Sequence, residues 1–214
     1  MTPFQADIVD AIRDAFGQLN FRFDGENFCV WVPWGEPLSG RNGWTRAINT
    51  ALCRVGQEFG FETRVRPDKH DQAGGSTPNG GELLWDITWL KKDGQGRMVD
   101  MPLIAECEFG FASVGENILP DFQKLLLARA GVRLMVHEHW RERGTREPCD
   151  PQAVANYLAQ HIQAFGRTQS DDVYLLAVLE GEDYRKIRYF RLGADGEAVE
   201  WVKGEPSPFG ADEP

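Results

Sequence analysis

The chain has 214 residues, 42% of them hydrophobic and 11% aromatic, and carries 23 basic against 33 acidic groups, a net charge of −10. That composition can bury a core and excludes wholesale disorder, and no apolar run reaches the roughly 18 residues that a membrane span requires. The acidity argues against a basic protein that simply coats nucleic acid, but much of it sits at one end: residues 171–214 hold 5 basic and 11 acidic groups. The first residues lack a basic stretch followed by an apolar one, so no signal peptide is expected. Cys29, Cys53, Cys107 and Cys149 stand far apart without CxxC spacing. This predicts a reduced, cytoplasmic protein with neither a disulfide framework nor a zinc finger.

In chain order, Phe4, Ile8, Ile12, Ala15 and Phe16 have helical spacing over residues 4–16. Residues 21–44 are rich in aromatics, Gly and Pro and read as a short strand followed by a loop. A second helix is expected over 45–59, with Ile48, Leu52, Val55 and Phe59 on one face and Gly60 as its stop. A strand follows over 61–66, then a Gly-rich loop over 67–81. Two strands are expected over 82–91 and 101–109, joined by the turn chemistry of Asp93-Gly94-Gln95-Gly96. A third helix is expected over 120–130, with Gly131 as its stop, and a strand over 132–137. Asp150 caps a fourth helix that runs to about residue 165. A strand over 173–179 precedes a final hairpin, 186–192 with 197–202, and the acidic, Pro-rich residues 205–214 form a loose tail. With no internal repeat, this is one α/β domain over 1–214, a mixed central sheet flanked by helices on both faces.

The informative residues are Trp85-Asp86-Ile87 and Ile104-Ala105-Glu106-Cys107-Glu108-Phe109. Alternation along a strand puts Glu106 and Glu108 on one face and Ala105, Cys107 and Phe109 on the other. Acids on an otherwise apolar strand are costly to bury without a cation. Asp86, on the neighbouring strand of the hairpin, can point to the same side. Converging carboxylates form a hard-oxygen site suited to Mg²⁺ or Mn²⁺. Downstream, Lys124 lies near the start of the third helix. If that helix packs behind the Glu106 strand, the ammonium reaches the carboxylates. The alternative for Lys124 is a solvated lysine paired with Asp121, three residues earlier.

On these residues the chain resembles the PD-(D/E)XK nuclease superfamily, whose restriction-endonuclease-like core is a helix, a three-strand meander, a helix and a further strand. The resemblance covers about residues 45–140. It implies that Asp86 matches the family's Asp and Glu106 its Glu, 20 residues on. The E-x-K lysine position holds Glu108, a departure. Some members move the lysine to the following helix, and Lys124 fits that variant. The resemblance further implies Mg²⁺ or Mn²⁺ on Asp86, Glu106 and the main-chain carbonyl of Cys107, with Lys124 assisting the attacking water. Glu108 would hold a second ion or position Lys124, and Glu58 would be an accessory acid. The implied substrate is DNA rather than RNA, and many members are dimers, so a homodimer is expected although no interface is legible.

Arg133, Arg141 and Arg143 are candidate phosphate contacts. Trp31, Trp34 and Trp44 either stack on bases or fill a core. His137 and His139 share a strand face, but a zinc site would need a third ligand that cannot be placed. The Gly-rich loop lacks the GK[ST] ending of a nucleotide triphosphatase. The function expected is metal-dependent phosphodiester hydrolysis. A catalytically inactive, nuclease-like binding or regulatory module is the alternative, and a carboxylate-pair glycosidase fits Lys124 less well.

Overall fold

The computed structural model describes residues 1–23, 28–34, 38–39, 43–66, 84–109, 118–139, 150–169, 171–180 and 186–201. The Gly-rich loop, the acidic tail, Cys149, Arg141 and Arg143 lie outside the described residues.

Helix α1 (Pro3–Gly17) begins with a capping box between Thr2 and Gln5. The Gln5 amide also donates to the carbonyls of Gly131 (2.8 Å) and Asp171 (2.9 Å), tying the N-terminus to the sheet. Strands β1 (Asn20–Phe23), β2 (Phe28–Trp31) and β3 (Leu38–Ser39) form a small antiparallel sheet. One strand and a loop were expected there.

Helix α2 (Gly43–Glu58) buries Trp44, Ala47, Ile48, Ala51, Leu52 and Val55. Gly60 ends it at φ 78°, where L side chains are strained, and the amides of Gly60 and Phe61 reach back to Gln57 and Gly56. A Cβ on Gly56 would lie 2.8 Å from the Trp89 ring and 2.7 Å from Thr63, so this glycine sets how closely α2 approaches the sheet. Gly56→Ala is expected to lower stability by about 1–2 kcal/mol in urea titrations, because overpacking outweighs the helix-propensity gain.

The main sheet has seven strands in the order β10-β9-β8-β7-β6-β5-β4. Strands β4 (Glu62–Val65), β5 (Ile87–Lys92) and β6 (Met98–Glu108) form an antiparallel meander. Helix α3 (Leu119–Leu127) then leads to β7 (Val132–His139), which runs parallel to β6. Helix α4 (Pro151–Phe165), capped by Asp150, leads to β8 (Val173–Glu180), parallel to β7. Strands β9 (Lys186–Leu192) and β10 (Ala198–Trp201) close the sheet as the expected hairpin.

The sheet separates two apolar layers. On one side α1 and α2 place Ile8, Ile12, Phe16, Ile48 and Leu52 against Trp89, Leu103, Ala105 and Leu134. On the other, α3 and α4 place Phe122, Leu125, Leu158 and Ile162 against Ile104, Met135, Leu176 and Phe190. The protein is therefore an α/β fold with helices on both faces.

Several boundaries differ from expectation: β6 starts earlier, at Met98, β7 runs on to His139, and the end of α3 and the start of β5 also shift. Helix α3 ends at Leu127, and Ala128 is already extended (φ −85°, ψ 150°). The Arg133 side chain holds the Ala128 carbonyl at 2.8 and 3.0 Å, so that carbonyl is satisfied outside a helix. Gly131 serves packing rather than capping: a Cβ there would lie 3.0 Å from the Pro102 carbonyl. Strand β5 begins at Ile87, and Leu84, expected inside it, is 76% exposed.

Candidate active site

Residues 102–107 of β6 are all buried. Leu103, Ala105 and Cys107 face α1 and α2, whereas Ile104 faces α3 and α4. Alternation sends Glu106 to the α3 side, where its side chain is 2% exposed. It is the one buried carboxylate residue among the described residues.

Asp86 precedes β5 instead of lying within it, a correction to the expected strand. Its carbonyl accepts the Arg66 amide at 2.8 Å, and its carboxylate Oδ2 accepts the Cys107 amide at 3.0 Å. The side chain thus takes the place of a strand partner for β6. The last β5–β6 pair is Ile87 with Ala105, so Asp86 and Glu106 stand opposite each other one step beyond it. The amide and carbonyl of a strand residue point to the same side. The Cys107 carbonyl therefore faces the Asp86 side, past the end of β5.

Helix α3 supplies the cation. Lys124 Nζ lies 3.3 Å from Glu106 Oε1 and 2.5 Å from Asp121 Oδ1. The helix reaches this position because Phe122, Leu125 and Leu126 bury its other face. The sequence pattern left Asp121 as a helix-surface partner of Lys124; the structure adds it to the site. Its signal was the three-residue spacing, which any solvated ion pair shares.

The electrostatics follow from this packing. Burial, and next the charge of Asp86, push the Glu106 carboxyl up to about 8, against the opposing pull of Lys124. Burial also raises Asp86, opposed by the Cys107 amide and the charge of Arg66. Lys124 is raised: burial alone would lower it, but the hydrogen bond to Asp121 and the charges of Glu106 and Asp121 outweigh that. It remains an ammonium, a donor rather than a base. Burial, reinforced by Asp86 and Glu106, holds the Cys107 thiol well above its ordinary value, so it stays protonated.

The donor set fits a small hard cation. Mg²⁺ needs only one or two carboxylates and keeps several waters. Asp86, Glu106 and the Cys107 carbonyl offer that many oxygens around two carboxyls that burial and mutual repulsion leave short of positive charge. Among the described residues, no three of His, Cys, Asp and Glu gather into a complete ligand set.

Other expected residues lie elsewhere. Glu58 is exposed at the C-terminal end of α2. The α2 residue near β6 is Asn49, 3.9 Å from the Cys107 thiol, and nine residues of helix put Glu58 roughly 13 Å farther along the axis. It is not brought to the carboxylates. Glu108 is half-buried at the end of β6, and its carbonyl lies 3.4 Å from Nδ1 of the buried His137. The acid that holds Lys124 beside Glu106 is Asp121. Trp44 is a core residue, 3% exposed and edge-on to Phe109. Trp34 is half-buried under the Arg54 guanidinium, and Trp31 is 50% exposed.

Arg133 is a correction. Its guanidinium is spent on the Ala128 carbonyl, on Asp172 at 2.8 Å and on the face of Tyr174. It is 4% exposed, and these partners hold it as a structural group of the α3–β7 connection. It lines a cleft of about 820 Å³ at the opposite end of the parallel strands, between the start of α1, Met98–Pro102 of β6, the end of α3 and the approach to β8 at Asp171 and Asp172. That cleft lacks the buried carboxylate that marks the Glu106 end. Arg133→Ala is expected to cost about 2 kcal/mol in urea unfolding by taking the guanidinium away from Asp172 Oδ1 and the Ala128 carbonyl.

A scan against protein-family models finds no match for this chain, and a search of curated proteins finds none. No helix among the described residues is long and apolar enough to cross a membrane.

Proposed function

We propose that this chain is a divalent-metal-dependent nuclease of the PD-(D/E)XK type, with its lysine supplied by α3. The observation that carries the reading is the contact of Lys124 Nζ with the buried Glu106 carboxylate at 3.3 Å. The lysine missing two residues after Glu106 has a replacement within hydrogen-bond reach.

Asp86, Glu106 and the Cys107 carbonyl would hold Mg²⁺ or Mn²⁺. When bound, the ion supplies Lewis-acid polarisation of a phosphate and makes a nearby water more acidic. Lys124, a fixed ammonium, orients that water and donates to charge that develops on the phosphate oxygens. Burial of Glu106 keeps these interactions in a poorly solvated setting, where they are stronger than in water. DNA is favoured over RNA on the family resemblance. The cytoplasmic setting belongs to the same reading.

The test is cleavage of plasmid, single-stranded DNA and RNA with Mg²⁺ or Mn²⁺, the wild type beside Asp86→Ala and Glu106→Ala. Metal-dependent cleavage lost in both variants supports the proposal. Metal binding without cleavage of any substrate favours the inactive module, and cleavage that survives both changes overturns the site.

A further inference from the structure

Lys124 is shared between two acids that play unequal parts. Glu106 lies on β6 and is nearly inaccessible, with its side chain 2% exposed; Asp121 is 22% exposed and lies one turn before Lys124 on the same helix. The Asp121 contact is the shorter, 2.5 Å against 3.3 Å. A three-residue spacing keeps Asp121 and Lys124 neighbours however α3 sits on the sheet. The contact to Glu106 depends on packing between two elements. An ammonium and a divalent cation also compete for the same carboxylate oxygens, so a lysine fully engaged with Glu106 would oppose metal binding.

We propose that Asp121 is a positioning residue: it holds the Lys124 ammonium beside Glu106 but draws it off the carboxylate, leaving Glu106 available to a divalent cation. This rests on the reading of Asp86 and Glu106 as metal ligands. Without Asp121, the ammonium has one acid left to satisfy and closes onto Glu106. Removing the lysine as well abolishes that competition.

The experiment measures Mn²⁺ affinity of the full chain, by counting free Mn²⁺ in electron paramagnetic resonance, for the wild type, Asp121→Asn, Lys124→Met and the double variant. Asp121→Asn is expected to weaken Mn²⁺ binding about tenfold, the scale of one hydrogen bond to a charged group. The double variant is expected to bind as Lys124→Met does, at least as tightly as the wild type. Asp121→Glu is expected to recover part of the loss, and thermal melting without metal identifies any variant that does not fold.

If the double variant binds as weakly as Asp121→Asn, Asp121 is a direct ligand and the positioning role is overturned. Wild-type affinity in Asp121→Asn overturns it equally. The ligand assignment is tested apart from this, by Asp86→Ala. If that change leaves wild-type Mn²⁺ binding intact, or if the wild type binds none, the metal reading fails and the role of Asp121 falls with it.

Discussion

Lys124→Ala is expected to lower the rate of phosphodiester cleavage by about 10²–10³-fold, the usual loss when one preorganised donor to a developing anion is removed. The loss belongs in kcat rather than KM. Lys124 sits on a buried carboxylate, so under the proposed mechanism it would act where charge develops and contribute little to holding the rest of a substrate. Mg²⁺ affinity should not fall, because the lysine is a competitor for Glu106 and not a ligand. Single-turnover cleavage at saturating Mg²⁺ checks the first statement and direct metal titration the second. Full activity in Lys124→Ala would remove the residue from the mechanism. Unchanged kcat with raised KM would reduce it to a substrate contact.

Glu106→Gln is expected to flatten the pH dependence of stability in the metal-free protein. The folded carboxyl titrates at about 8, whereas its ordinary value is 4.5. Between those values the folded state holds a proton that the unfolded state has released. The stabilisation is therefore fully present below about 4.5 and is lost as pH rises through about 8. Asp86, also raised, acts with the same sign. Glu62 and Glu200, lowered by Lys92 and Arg188, act with the opposite sign and only in acid. Across neutral pH the Glu106 contribution dominates, on the order of a few kcal/mol. Urea unfolding in chelator at pH 5 and pH 9 should show a clear loss for the wild type and a much smaller one for Glu106→Gln. Equal slopes would mean that Glu106 ionises normally in the fold. Because Mg²⁺ needs the deprotonated carboxyl, wild-type metal affinity should rise with pH up to about 8.

Much of this architecture was legible in the chain. The Ile48, Leu52 and Val55 spacing with Gly60 behind it gave α2, and alternation over 104–109 put Glu106 and Cys107 on opposite faces, as the two core layers show. Lys124 was legible as a residue of the helix that follows the Glu106 strand, although it stands in the last turn of α3 rather than near its start. What escaped depends on partners distant in sequence. A periodic pattern cannot tell that the Asp86 carboxylate, rather than its backbone, serves the Cys107 amide. Arg133 on an apolar strand reads as a surface cation until Ala128, Asp172 and Tyr174 are seen around it. The β1–β2–β3 sheet escaped because β3 is two residues long and its surroundings have no period.

Among the described residues, Asp86, Glu106, Asp121 and Lys124 come from one stretch of chain, the approach to β5, the β5–β6 hairpin and α3, and Arg66 joins them from the end of β4. Those four are carried as one block of chain, and the other strands and helices hold it in place. The turn inside that block is closed by Asp93, whose carboxylate accepts the amides of Gln95 and Arg97 at 2.9 Å. New chain ends opened at that turn would put Asp86 on one fragment and Glu106, Asp121 and Lys124 on the other. Neither half would carry both Asp86 and Glu106, so a break at that turn would separate the two acids that stand opposite each other at the end of the β5–β6 pairing.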